Sequence, residues 1–290
     1  MSRFPVSTCR VLLERDFPMI FSKTLLGVVL AASIFWAPPA HSLDRSDEVG
    51  TLEWTQKTGG ALTEGQQVLF FVDAMPDLIW ASVERVFHRS VPKADLSEFA
   101  PPDTPIINEA MNRLRSSSNP AFVNHSIRVA YWTLVVMKRE NPDLTPKEIE
   151  EAWMAALLHD IGIALPPKFG EFTLGGVKIL SELAAEYAWS KESEKKASEA
   201  ITLNPNSRVD RDKFGLLAWA MNVGGFGETF YGPYRVLMNR ENIQELEAMY
   251  PRENLYEVAQ DLMGKEIRRF HNQRFALLRK VGFLKLGRRG

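Results

Sequence analysis

The chain is poor in several features that would assign it to a class at once. It has one cysteine in 290 residues, Cys9, so a disulfide-stapled scaffold is excluded. It has almost no excess charge, with 35 Lys and Arg against 36 Asp and Glu. That balance gives no global drive toward nucleic acid or a membrane surface. No apolar run approaches the ~20 residues that a spanning helix needs. Strand-like alternation is scarce, and there are no internal repeats or long low-complexity runs. What remains is 45% hydrophobic and 24% charged residues, ordinary for a globular protein with a sizeable core. Helix formers dominate, and the length allows one large domain or two small ones.

The N-terminus carries a processing pattern. Lys23 precedes an apolar run from Leu25 to Trp36, and Pro38, Pro39 and Ala40-His41-Ser42 follow. A basic flank, about a dozen apolar residues and a small-x-small site form a secretory leader. Residues 1–42 are therefore expected to be a signal peptide, with Met19 as an alternative start that gives a leader of ordinary length. The mature protein would be secreted or periplasmic, without stable membrane insertion. Cys9 would leave with the leader.

Residues 43–63 are polar and glycine-containing and read as a linker. Residues 64–90 read as two short accessory helices, and His88 there as a packing or surface histidine. Residues 91–104 form a proline-rich boundary, and the main domain spans 95–290. Asp103-Thr104-Pro105 starts a helix that runs to about Leu114. After a turn at 116–120, a second helix carries His125, Val129, Trp132 and Val136 at helical spacing. The end of the chain, 265–290, is basic. No stacking platform or groove motif accompanies it, so it reads as a solvated tail with no nucleic-acid partner. Nothing in the sequence specifies an oligomer.

The stretch Leu157-Leu158-His159-Asp160-Ile161-Gly162 carries the chemistry. Thr145-Pro146-Lys147-Glu148 is a capping box with proline at the first helical position. From there Ile149, Trp153, Ala156, Leu157 and Asp160 fall near one face, so Asp160 looks inward, and Gly162 reads as the helix stop. An inward carboxylate is costly unless neutralised, and a metal ion neutralises it. His125 supplies a second imidazole.

A histidine followed at a distance by His-Asp, all on helices, resembles the HD superfamily of metal-dependent hydrolases. "NHSIRVAYW" around His125, "ALLHDIG" around His159 and "GEFTLGGVKIL" at 170–180 resemble its cyanamide hydratase-like branch. The resemblance covers about residues 95–275. It implies an all-α helical HD-domain bundle with a central metal-site pocket. It implies a divalent transition metal (zinc, iron or manganese) held by His125, His159 and Asp160, and hydration of a small nitrile-like substrate. Asp160 would also orient the attacking water. Glu171 would be a general acid or base, or a partner orienting a ligand histidine, unless it merely begins a helix.

Two positions depart from the family pattern. An apolar helix from about 213 to 222 reads as ending at Gly224-Gly225-Phe226-Gly227, and the fourth ligand, usually an aspartate before a glycine, aligns there to Asn222, which offers a carbonyl oxygen and no charge unless it merely caps that helix. Asn204 stands where relatives often have histidine. Asp210 and Asp212 are distant substitutes in a polar loop. The alternatives are therefore an HD phosphohydrolase, for which only Lys168 and Arg128 are placed to clamp phosphate, and a non-catalytic HD-fold binding protein.

Overall fold

The computed structural model describes residues 48–70, 72–73, 91–230 and 238–280. The leader, His88 and the last ten residues of the basic tail lie outside them. The described residues are helical with no strand among them, and they belong to one unit, Asp44–Gly290. No described helix is long and apolar enough to cross a membrane.

Two helices form the centre. α1 (Leu52–Thr58) and α2 (Pro105–Ser117) precede them. α3 runs from Pro120 to Glu140, started by Asn119, whose side chain accepts from the Ala121 amide at 2.9 Å. Nearly every residue from Ala121 to Met137 is buried, and a helix apolar on all sides must lie inside. α4 (Pro146–Leu158) begins with the expected capping box. The Thr145 hydroxyl accepts from Glu148 N at 3.2 Å, and Glu148 accepts from Thr145 N at 2.8 Å. From Glu151 to Leu158 it is buried on every side. Truncating a fully buried leucine here, such as Leu157, should cost about 2–5 kcal/mol. The start of α2 differs from α4 despite the same Thr-Pro pair. The Thr104 hydroxyl makes no cap and instead donates to Glu150 on α4 at 2.7 Å.

The other helices wrap this pair: α5 (Ile161–Ala164), α6 (Thr173–Glu186), α7 (Lys191–Leu203), α8 (Arg211–Phe214) and α9 (Leu216–Phe230), then α10 (Arg240–Met249), α11 (Leu255–Arg269) and α12 (Arg274–Lys280). The most extensive packing is α9 on α3, followed by α3 on α4.

Three local expectations are corrected. Residues 48–63 are not a linker: α1 is capped by Thr51 and ended by left-handed Gly59, and Trp54 is 2% exposed. The segment is tied down where Leu52 N donates to Glu199 on α7 and Leu62 N donates to the Asn272 carbonyl. Gly162 does not stop α4. It lies inside α5, where any side chain would overlap the Phe172 carbonyl that starts α6. The glycine run at 224–227 does not end a helix either, because α9 continues to Phe230. A Cβ at Gly224 would stand 2.9 Å from the Thr133 backbone, and one at Gly225 2.8 Å from the Asn204 amide. These glycines let α9 lie close against α3 and the end of α7.

Candidate metal centre

Three side chains from two helices and the bend after one of them converge. His125 comes from the first turns of α3, His159 from the C-terminal end of α4, and Asp160 is the residue between α4 and α5. One ligand atom of each lies within 4.8 Å of the others. Asp160 Oδ2 is 3.2 Å from His159 Nε2 and 3.5 Å from His125 Nε2. Bonds of ~2.1 Å to a tetrahedral ion would set ligand atoms about 3.4 Å apart, so this donor set fits one divalent ion.

The second nitrogen of each imidazole is already occupied, and each partner accepts only. His159 Nδ1 donates to the Ala156 carbonyl at 2.7 Å. His125 Nδ1 donates to Glu228. Both bonds turn the Nε2 atoms toward the cluster, where an ion would take the place of an Nε2 proton. Glu228 is fully buried. Its other oxygen accepts from Arg128 Nε at 2.6 Å and lies 3.0 Å from Arg252 Nη2.

Charge sets the protonation of this array. Burial alone would lower the His125 pKa, but the Glu228 and Asp160 carboxylates outweigh it and push it up to about 9. Burial alone would raise Asp160, yet His159 and His125 hold it well below the usual carboxylate range. Glu228 is likewise held low, because Arg252, Arg128 and His125 overcome its burial.

A cavity of about 60 Å³ opens over the cluster. Its walls are apolar, with Phe122, Ile163, Phe226, Leu255 and Phe275 among them; Asn204 and Thr229 add polar atoms. No lysine or arginine of the described residues lines it.

The remaining sequence-predicted residues are held by other contacts. Glu171 is buried and does not line the cavity. It pairs with Arg274 and accepts from Thr173 Oγ1 at 2.7 Å. Asn222 is buried on α9, one turn before Gly225 and Phe226, and its amide donates to the Asn204 and Asn206 carbonyls at 2.8 and 2.7 Å. Asp210 is exposed and caps α8, and Asp212 is exposed. Arg128 is committed to Glu228 and to the Tyr250 carbonyl at 2.6 Å, and Lys168 is exposed.

Residues 122–222 match the HD domain family. The match includes His125, His159 and Asp160. HD domains are generally metal-dependent hydrolases, and among the described residues the His125, His159 and Asp160 cluster within the matched span could hold such an ion. No curated protein matches the chain.

Glu228 and Arg252 belong to the centre and were not foreseen from sequence. Glu228 lies beyond the matched span and after a glycine run read as a helix end. Helical spacing could have found it: positions 222, 225, 226 and 229 share one face of α9, and 228 borders it.

Proposed function

We propose that this HD domain is a metal-dependent hydratase or hydrolase of a small uncharged substrate, with a cyanamide-type nitrile as the finer reading. The observation that carries it is the His125–His159–Asp160 cluster beneath a cavity of about 60 Å³ that no lysine or arginine of the described residues lines. A phosphate ester is held by cations, and no lysine or arginine of the described residues lines this cavity. The polar wall atoms suit a substrate bearing N–H groups. Asn204 Nδ2 is spent on the Met221 carbonyl at 3.0 Å and Thr229 Oγ1 on the Gly225 carbonyl at 2.7 Å, so each offers the cavity an acceptor.

A divalent ion held by His125, His159 and Asp160 would lower the pKa of water to ~7 and polarise the substrate. Zinc, iron and manganese all suit imidazole with carboxylate. The protein's part follows from its own groups. Asp160 orients the water, takes one of its protons as the oxygen adds to the nitrile carbon, and returns that proton to the nitrile nitrogen. The product of cyanamide would be the urea tautomer. The apolar walls keep bulk water out. Asn222, through its carbonyl oxygen, is the proposed fourth ligand. Glu171 is assigned to holding the start of α6 rather than to proton transfer.

A non-catalytic binding role is the second reading, favoured by the two hydrogen bonds that give Asn222 a purely structural occupation. The deciding assay supplies manganese, zinc or ferrous iron to the purified protein with cyanamide, small nitriles and amides, and a phosphomonoester. Turnover of the neutral substrates, lost by a factor of about 10²–10⁴ in Asp160→Asn, supports the hydratase reading. Turnover of the phosphomonoester alone contradicts it, and metal binding without any turnover favours the binding role.

A further inference from the structure

Among the described residues one carboxylate, Asp160, stands among the ligand atoms of the cluster. The next negative charge is Glu228, one hydrogen bond behind His125. Its two oxygens are divided: among the described residues Oε2 bonds His125, while Oε1 takes Arg128 and Arg252. The other histidine lacks such a partner, since His159 donates to the neutral Ala156 carbonyl. The two imidazoles of the centre are therefore unequal donors.

We propose that Glu228 is a positioning residue that sets the strength of the metal site, fixing His125 and lending it negative charge, and that Arg252 tempers this effect. The inference rests on the metal reading above. A carboxylate that accepts from one nitrogen of an imidazole makes the other nitrogen more basic and fixes its direction. In a buried site the charge is poorly screened. Arg128 and Arg252 share Glu228 but differ in place. Arg128 is buried and anchors the Tyr250 and Pro251 carbonyls at 2.6 and 3.2 Å. Arg252 is partly exposed and also binds Glu247 at 2.9 Å. It can be removed without emptying the core.

The two substitutions should therefore act with opposite sign. Glu228→Gln keeps the shape and an acceptor but removes the charge. Arg252→Gln removes a cation that draws on the same carboxylate. Packing alone predicts no such opposition. The test is a calorimetric titration of manganese(II), repeated with zinc(II), into the full-length wild type, E228Q and R252Q, with the melting temperature of each recorded. Affinity should fall 10–100-fold in E228Q and rise severalfold in R252Q. Unchanged dissociation constants, with only the melting temperatures altered, would overturn the proposal. If E228Q does not fold, R252Q decides alone: tighter binding supports the proposal, and equal or weaker binding overturns it. A wild type that binds neither ion defeats the metal reading itself and this inference with it, whereas a metal-binding wild type with an indifferent R252Q defeats only the inference.

Discussion

Glu171 and Glu228 are both buried glutamates joined to arginine, and they do opposite things. Glu228 has two guanidiniums and an imidazole around it, which hold it well below the usual carboxylate range. Glu171 has Arg274 and Thr173, but burial and the nearby charge of Glu266 win, and it is pushed above that range. One carboxylate bonds His125 of the candidate metal site. The other sits behind α6 with Arg274, which reaches the Thr202 carbonyl and the Asn206 side chain at 2.6 Å and lies over the Trp54 ring at 5.6 Å. A buried glutamate joined to arginine is thus no signature of a site. What matters is which third group the carboxylate touches.

The largest effect separates stability from metal binding. Glu171→Ala takes the acceptor from the buried Arg274 guanidinium and the Thr173 hydroxyl and should cost about 3–5 kcal/mol, read by urea unfolding, while metal affinity in the folded fraction stays at the wild-type value. A matching loss of metal affinity would mean that the two glutamates are not distinct in role.

Next come the two histidines of the proposed metal site. His125→Ala and His159→Ala should each lower metal affinity by more than the 10–100-fold typical of indirect contacts. An unaltered titration in either variant would remove that histidine from the centre.

The structure also sharpens what Asn222→Asp should do. An aspartate adds charge beside the site but loses both amide donors and faces the Asn204 and Asn206 carbonyls. The metal-free variant should therefore be destabilised by about 1–3 kcal/mol, and it should regain stability on metal addition more steeply than the wild type. If metal rescues both proteins equally, residue 222 is a structural asparagine and no ligand.

The smallest effect is a pH dependence. Glu171 is raised above the ordinary 4.5 in the folded state, so the folded protein binds its proton more readily than the unfolded chain. That contribution is fully present below pH 4.5 and is lost as pH rises through the folded value. The stability cost of Glu171→Gln should accordingly shrink between pH 4 and pH 7 in urea unfolding. A cost that grows over this range would show that the paired carboxylate is held ionised.

Much of this was legible in the residues. The Thr145–Glu148 capping box, the apolar runs and the His159-Asp160 pair stated α3 and α4 and what they carry, because caps and helical periodicity are local. The parts that were not legible depend on distant partners. Gly162, Gly224 and Gly225 look like helix ends in sequence, and only the close approach of Phe172, Thr133 and Asn204 explains them. Missing the continuity of α9 hid Glu228, whose partner His125 is 103 residues away. α1 was missed for another reason: seven residues are too few for a periodic signal, although Thr51 and Gly59 bracket them as caps. Glu171 drew attention because it lies near the His-Asp pair in sequence, yet its contacts point to α12.

The most direct test is the metal content of the wild-type protein, measured by elemental analysis and by calorimetric titration of manganese and zinc. One ion bound per chain, abolished together in His125→Ala and His159→Ala while both variants remain folded, is the predicted result. A wild-type chain that is stably folded and takes up neither ion would contradict a metal centre at His125, His159 and Asp160.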